Sequence, residues 1–101
     1  MADFDKASLI KKLKLTMGDF TPNSEDLDEY YGNFLDMAAA ELRANDISET
    51  VLAGELGQCA IVLYAKTKIE GGDTVKDATC IFLRNTLSVQ TKGERSGNGG
   101  A

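Results

Sequence analysis

Apolar residues along this chain recur at three- and four-residue steps. No Asn-Gly or Asp-Gly turn stands between two apolar runs, the one Asn-Gly being Asn98–Gly99 near the C-terminus, and extended polar–apolar alternation is missing, so the pattern predicts helices nearly throughout. Four helices can be placed. The first spans about Lys6 to Leu15, with Asp5 as N-cap and Leu9, Ile10, Leu13 and Met17 on one side of its lysines. A loop, "TMGDFTPNS", follows it.

The second helix, about Glu25 to Ala44, has the clearest periodicity. Leu27, Tyr31, Phe34, Leu35, Ala38 and Leu42 form an apolar face, with Glu29, Asp36 and Arg43 opposite. Asn23 or Ser24 caps it, and Glu25, Asp26, Asp28 and Glu29 crowd its first turns, where carboxylates complement the positive end of the helix dipole. Capping accounts for this acidic cluster better than metal binding does.

The third helix, about Glu49 to Ile69, follows the link "NDIS", with Asp46 and Glu49 spaced as a capping box. It is apolar nearly all round. At 100 degrees per residue, Leu52, Leu56, Cys59 and Leu63 form one stripe, Val51, Val62 and Ile69 a second, and Ile61 stands almost opposite the first. Gly71 and Gly72 stop the helix, and Asp73 caps a fourth, about Thr74 to Val89. That helix is also two-sided, with Val75, Ala78, Phe82 and Val89 on one flank and Cys80, Leu83 and Leu87 on another. Residues 79 to 90 are rich enough in branched side chains to read as a strand instead. Residues 91 to 101, "TKGERSGNGGA", lack an apolar anchor and read as a flexible tail that orders on a partner. The prediction is therefore an all-α bundle of about four helices over residues 1 to 90, followed by the tail.

Composition narrows what such a bundle does. With 101 residues, 43% of them hydrophobic, there is room for one modest core. Histidine is absent, which removes the usual general base near neutral pH and the commonest metal ligand. The expectation is a protein that is not an enzyme and needs no cofactor or metal. Cys59 and Cys80 lack the spacing of a redox pair or a zinc site and read as buried packing thiols of an intracellular, reduced protein. The uncharged run from Leu56 to Ala65 is half the roughly 20 residues a bilayer-spanning helix needs, so a membrane role is not expected. "EGGD" is too short for a phosphate-binding loop and reads as a helix stop.

A net charge of −5 opposes nucleic acid binding, although Lys11, Lys12 and Lys14 form a local basic group. A small helical DNA-binding regulatory module using those lysines is the alternative reading. Its helix-turn-helix form suffers from Glu49 and Glu55, which stand where phosphate and base contacts call for basic or amide side chains. The favoured reading is an interaction protein whose two-sided helices bury one face internally and one against a neighbour. Ile61, Leu83 and Leu87 are the candidate subunit contacts, and Lys92, Glu94 and Arg95 belong to a candidate docking tail.

Four stretches, "LIKKLKL", "SEDLDEYYGNFLDMAAAELRA", "GQCAIVLYAKTK" and "CIFLRNTLSVQ", follow one another in an order that resembles the small head–tail connector (adaptor) proteins of long-tailed bacteriophages, also described as DNA-packaging proteins. The likeness covers about residues 8 to 90 as a succession of helix patterns, with lysine in "LYAKTK" where the family usually has arginine. It implies a virion protein, made in the bacterial cytoplasm of a phage or prophage host and located at the head–tail junction. It further implies a homo-oligomeric ring of about a dozen copies. Such a ring lies under the portal protein, extends the DNA channel with DNA only as passing cargo, and docks the next tail-completion protein. An acidic balance suits such a channel wall.

Overall fold

The computed structural model describes residues 5 to 22 and 24 to 99, with side chains through Arg95. Its five helices are α1 (Lys6–Thr16), α2 (Glu25–Ala44), α3 (Glu49–Ala53), α4 (Glu55–Ile69) and α5 (Ala78–Gly99), and no strand occurs among the described residues. The chain is all-α, and residues 79 to 90 are helical.

Local chemistry sets the boundaries. Asp5 accepts the Ala7 N–H at 3.1 Å, and Ser24 accepts the Leu27 N–H at 3.2 Å, so each satisfies a donor that a helix start leaves unpaired. Three helices stop in the same way. The N–H groups of Asp19, Ile47 and Gly72 reach back to the carbonyls of Lys14, Leu42 and Thr67, and the preceding N–H of Gly18, Asp46 or Gly71 closes the inner bond. This is the Schellman arrangement, which needs a left-handed residue. Gly18 and Gly71 supply it at φ 70° and 78°, and Asp46 adopts it at φ 64°.

The link between α2 and α3 departs from the predicted capping box. Ser48 caps α3 by accepting the Val51 N–H at 3.2 Å, whereas Asp46 is spent on the turn and Glu49 pairs with Arg43. The predicted third helix is also two helices. Gly54 is extended, at φ −73° and ψ 170°, and Gln58 reaches back to hold the Ala53 carbonyl at 2.7 Å. At the next boundary Asp73 caps only a turn, through the Val75 N–H at 2.9 Å. Asp77 heads α5 by accepting the Cys80 N–H at 3.0 Å, so the helix begins four residues later than predicted.

α5 then continues past Val89 to Gly99, which corrects the expectation of a flexible segment over residues 91 to 95. Thr91 is buried and its hydroxyl accepts the Ser48 N–H at 3.2 Å. One turn on, Arg95 clasps Asp46 through two hydrogen bonds of 2.9 and 3.2 Å. Two anchors one helical turn apart tie this stretch to the α2–α3 corner without an apolar side chain. The predicted tail's last two residues, 100 and 101, lie outside the described residues.

α4 sits in the middle, packed against α1, α2, α3 and α5, with its most extensive contact to α2. The core joins Leu9 and Leu13 of α1, Leu35, Ala38 and Leu42 of α2, Leu52 of α3, Ile61 and Tyr64 of α4, and Leu83 and Leu87 of α5. Tyr64, fully buried, donates its hydroxyl to the Cys80 carbonyl at 3.2 Å, so its polar tip is satisfied inside the core.

Candidate functional site

Burial overturns the predicted subunit contacts. Ile61 and Leu87 are fully enclosed and Leu83 is 4% exposed, all within the subunit's own core. They belong to its folding, and a neighbour could reach them only by displacing that core. On the opposite faces of the same helices, Cys59 of α4 and Phe82 of α5 are the exposed residues. Cys59 is thus no packing thiol. Cys80 is one, and burial pushes its thiol pKa up.

Three surfaces carry the displaced apolar residues. On α5, Phe82 (66% exposed) and Val89 (69%) lie two turns apart, directly opposite the buried line of Cys80, Leu83, Leu87 and Thr91. The sequence shows both flanks of this helix, and the expectation put Leu83 and Leu87 on the outward one, the reverse of what burial shows. The deciding signal was the continuation into Thr91 and Arg95, since a short polar residue that satisfies a backbone donor extends the inner line only if the helix runs on. The tail residues Lys92 and Arg95 are exposed and Glu94 is half-buried. Arg95 is engaged by Asp46, a pairing that holds the Asp46 carboxyl below its ordinary value.

The second surface is a groove of about 350 Å³ between α1 and α4, lined by Leu15, Cys59, Val62 and Leu63 with Lys12 and Glu55 at its edges. A further hollow continues past Leu15 to Lys11 and Phe20. The third surface is the outer side of α2, where Tyr30 and Met37 are about half exposed.

Charge divides along the helices. α1 contains four lysines and no acid, whereas α2 contains six carboxylates and Arg43. Of the three lysines weighed for DNA contact, Lys14 is buried, with its ammonium donating to the Thr21 carbonyl at 2.7 Å. Only Lys11 and Lys12 of the group face outward. That leaves a thin basic patch for the DNA-binding alternative.

The α1–α2 loop is pinned by Asp19, which accepts hydrogen bonds from the Thr21 hydroxyl and backbone N–H and from the Tyr31 hydroxyl at 2.5 Å. These bonds, the Thr21 hydroxyl first, lower the Asp19 pKa to about 2, and the same carboxylate raises Tyr31 to about 12. On the far side Glu41 joins α2 to α4 and the following turn, through Lys68 at 2.6 Å and the Thr74 hydroxyl at 2.6 Å. Burial pushes the Glu41 carboxyl up, but these partners outweigh it and the net shift is downward. Such bonds fix the backbone that presents the apolar surfaces.

Among the described residues no three Cys, Asp or Glu side chains gather as a metal would require, and no helix is long and apolar enough to cross a membrane. Comparison with family models, with curated proteins and with solved structures finds no match. The surfaces themselves therefore carry the functional argument.

Proposed function

We propose that this chain is a structural subunit of a bacteriophage or prophage virion: a head–tail connector that assembles with copies of itself into a ring of about a dozen. The ring would sit under the portal protein, extend the DNA channel and dock the next tail-completion protein. The observation that carries this reading is the doubly apolar α5, which buries Cys80, Leu83 and Leu87 inside and displays Phe82 and Val89 outside. Two large apolar groups on one line of an edge helix lose water contact favourably only when another chain covers them. The resemblance of its succession of helix patterns to that of connector proteins supplies the kind of assembly.

The test is location. Particles purified after prophage induction or infection of the strain that encodes the gene should contain the protein in a fixed ratio to the portal, at the head–tail vertex by gold labelling. A knockout should give filled heads without attached tails. Absence from purified particles, with tails joined normally in the knockout, would sink the reading.

A further inference from the structure

The outer side of α2 and the α1–α4 groove are complementary and face away from each other. On α2, Asp26, Tyr30, Asn33, Met37, Ala40 and Ala44 are all exposed and recur at steps of four, three, four, three and four. An average step near 3.5 keeps them on one line, the spacing of a seam that packs against another helix. Tyr31, Leu35, Ala38 and Leu42 fill the opposite, buried side. The groove is lined by the apolar Leu15, Cys59, Val62 and Leu63, with Lys12 on the α1 edge, Glu55 on the α4 edge and Lys11 just beyond.

Direction and charge select the occupant. Cys59 and Lys68 are nine residues apart on α4, which is half a revolution at 100 degrees per residue. Lys68 turns toward α2, where it meets Glu41 at 2.6 Å. The groove therefore opens on the side of α4 away from α2, and the seam opens on the side of α2 away from the core. A two-fold contact through the seam would set one carboxylate-rich α2 against another. A head-to-tail contact instead sets the carboxylates of α2 beside the lysines of α1.

We infer that the partner is a second copy of this chain, with the outer seam of α2 from one copy seated in the α1–α4 groove of the next. Met37 and Tyr30 are the anchors that enter the groove, and Glu29 meets Lys12 at its rim. Only the choice of a second copy rests on the proposed function. The arrangement leaves the α5 ridge of Phe82 and Val89 free for a different partner at the junction.

Cysteine cross-linking tests the register. A Met37→Cys variant treated with a short bis-maleimide should join the new thiol to Cys59 of the next molecule and give a ladder of dimers, trimers and longer chains. The buried Cys80 stays silent, and a Phe82→Cys variant treated alike should give no ladder. Met37→Asp and Lys12→Glu should each be monomeric alone yet form one-to-one dimers when mixed, because each keeps the surface the other has lost. Both sites are exposed, and unchanged thermal melts would establish that the variants fold. A ladder from Phe82→Cys, or cross-linking of Met37→Cys no greater than wild type, overturns the assignment. A protein that ladders as expected but is missing from virions removes the connector reading and leaves this contact standing. Presence in virions with the Phe82→Cys ladder does the reverse.

Discussion

α2 and α4 are the most extensively packed pair in the molecule, and they teach opposite lessons. α2 spans Glu25–Ala44, as its periodicity predicts, and buries the predicted face, with Tyr31, Leu35, Ala38 and Leu42 inside and Leu27 and Phe34 partly covered. α4 is shorter than predicted, and its burial runs counter to the predicted stripe, with Ile61 enclosed and Cys59 outside. The difference is position. An outer helix has one apolar side, and contrast with its polar side reveals direction. A central helix has neighbours on most sides, so it is apolar almost everywhere and direction is lost.

The largest expected effect tests that contrast at one residue in each helix. Ile61→Asp places a carboxylate where no water reaches, at a cost of several kcal/mol, about the whole stability of a domain this size. Met37→Asp, on the outer seam of α2, should change unfolding free energy by less than about 0.5 kcal/mol. Urea unfolding followed by far-ultraviolet circular dichroism measures both. A folded Ile61→Asp variant with wild-type helicity would place Ile61 at the surface and make it a candidate subunit contact again.

A second test concerns glycine. A Cβ on the buried Gly57 of α4 would come within 2.5 Å of the Leu52 carbonyl oxygen and 2.6 Å of its Cα, both backbone atoms that cannot swing aside. Gly57→Ala should therefore force α3 off the start of α4, at a cost on the order of 3 kcal/mol, comparable to large overpacking changes. A loss below about 1 kcal/mol by chemical denaturation would mean that the α3–α4 corner yields freely.

This corner also marks the limit of what the sequence made legible. The all-α class, the start of α1, both ends of α2 and the glycine stop after Ile69 followed from short-range signals: caps, periodicity and left-handed turns. The break at Gly54 did not, because the apolar pattern runs through it and the close backbone approach of Leu52 to Gly57 that accompanies the extended Gly54 leaves no mark in that pattern. Nor did the fate of Thr91 and Arg95, whose partners Ser48 and Asp46 lie more than forty residues away. Polar anchors of that range leave no periodic trace. The candidate surfaces were half legible: Phe82 and Val89 stood on one flank of a two-sided helix, but which flank faced the core depended on where its neighbours lay.

The two buried tyrosines sharpen the comparison by pH. Tyr31 of α2 is raised to about 12 chiefly by its bond to the Asp19 carboxylate, and Tyr64 of α4 to about 12 chiefly by burial. For both, the folded value exceeds the ordinary value of about 10, so each contributes stability that is present below pH 10 and is lost as pH rises through 12. Asp19 has the opposite sign: lowered from 3.8 to about 2, it contributes stability present above pH 4 and lost as pH falls toward 2. Tyr31→Phe should consequently soften both the acid and the alkaline limbs of a stability–pH profile, whereas Tyr64→Phe should soften the alkaline limb alone. Identical acid limbs in the two variants would dissociate Tyr31 from Asp19.

The smallest effect, and the one that isolates α2 best, comes from its own buried glycine. A Cβ on Gly32 would meet Lys6 Cε at 3.1 Å, its Nζ at 3.6 Å and Ile10 Cδ1 at 3.9 Å, all atoms at the ends of flexible side chains. Lys6 is about half exposed and pairs with an exposed Asp36 at 2.7 Å, an interaction worth little in water and free to re-form a few tenths of an ångström away. Replacing a mid-helix glycine by alanine removes backbone entropy from the unfolded chain and is favourable by about 0.5–1 kcal/mol. Gly32→Ala should therefore be neutral to stabilising by up to about that amount, with a midpoint at or slightly above wild type. The same chemical change is thus expected to carry opposite signs in the two helices, because a side chain closes over Gly32 and a backbone closes over Gly57. A loss of more than about 1 kcal/mol in Gly32→Ala would mean that the Lys6–Asp36 clasp holds α1 on α2 more firmly than an exposed pair should.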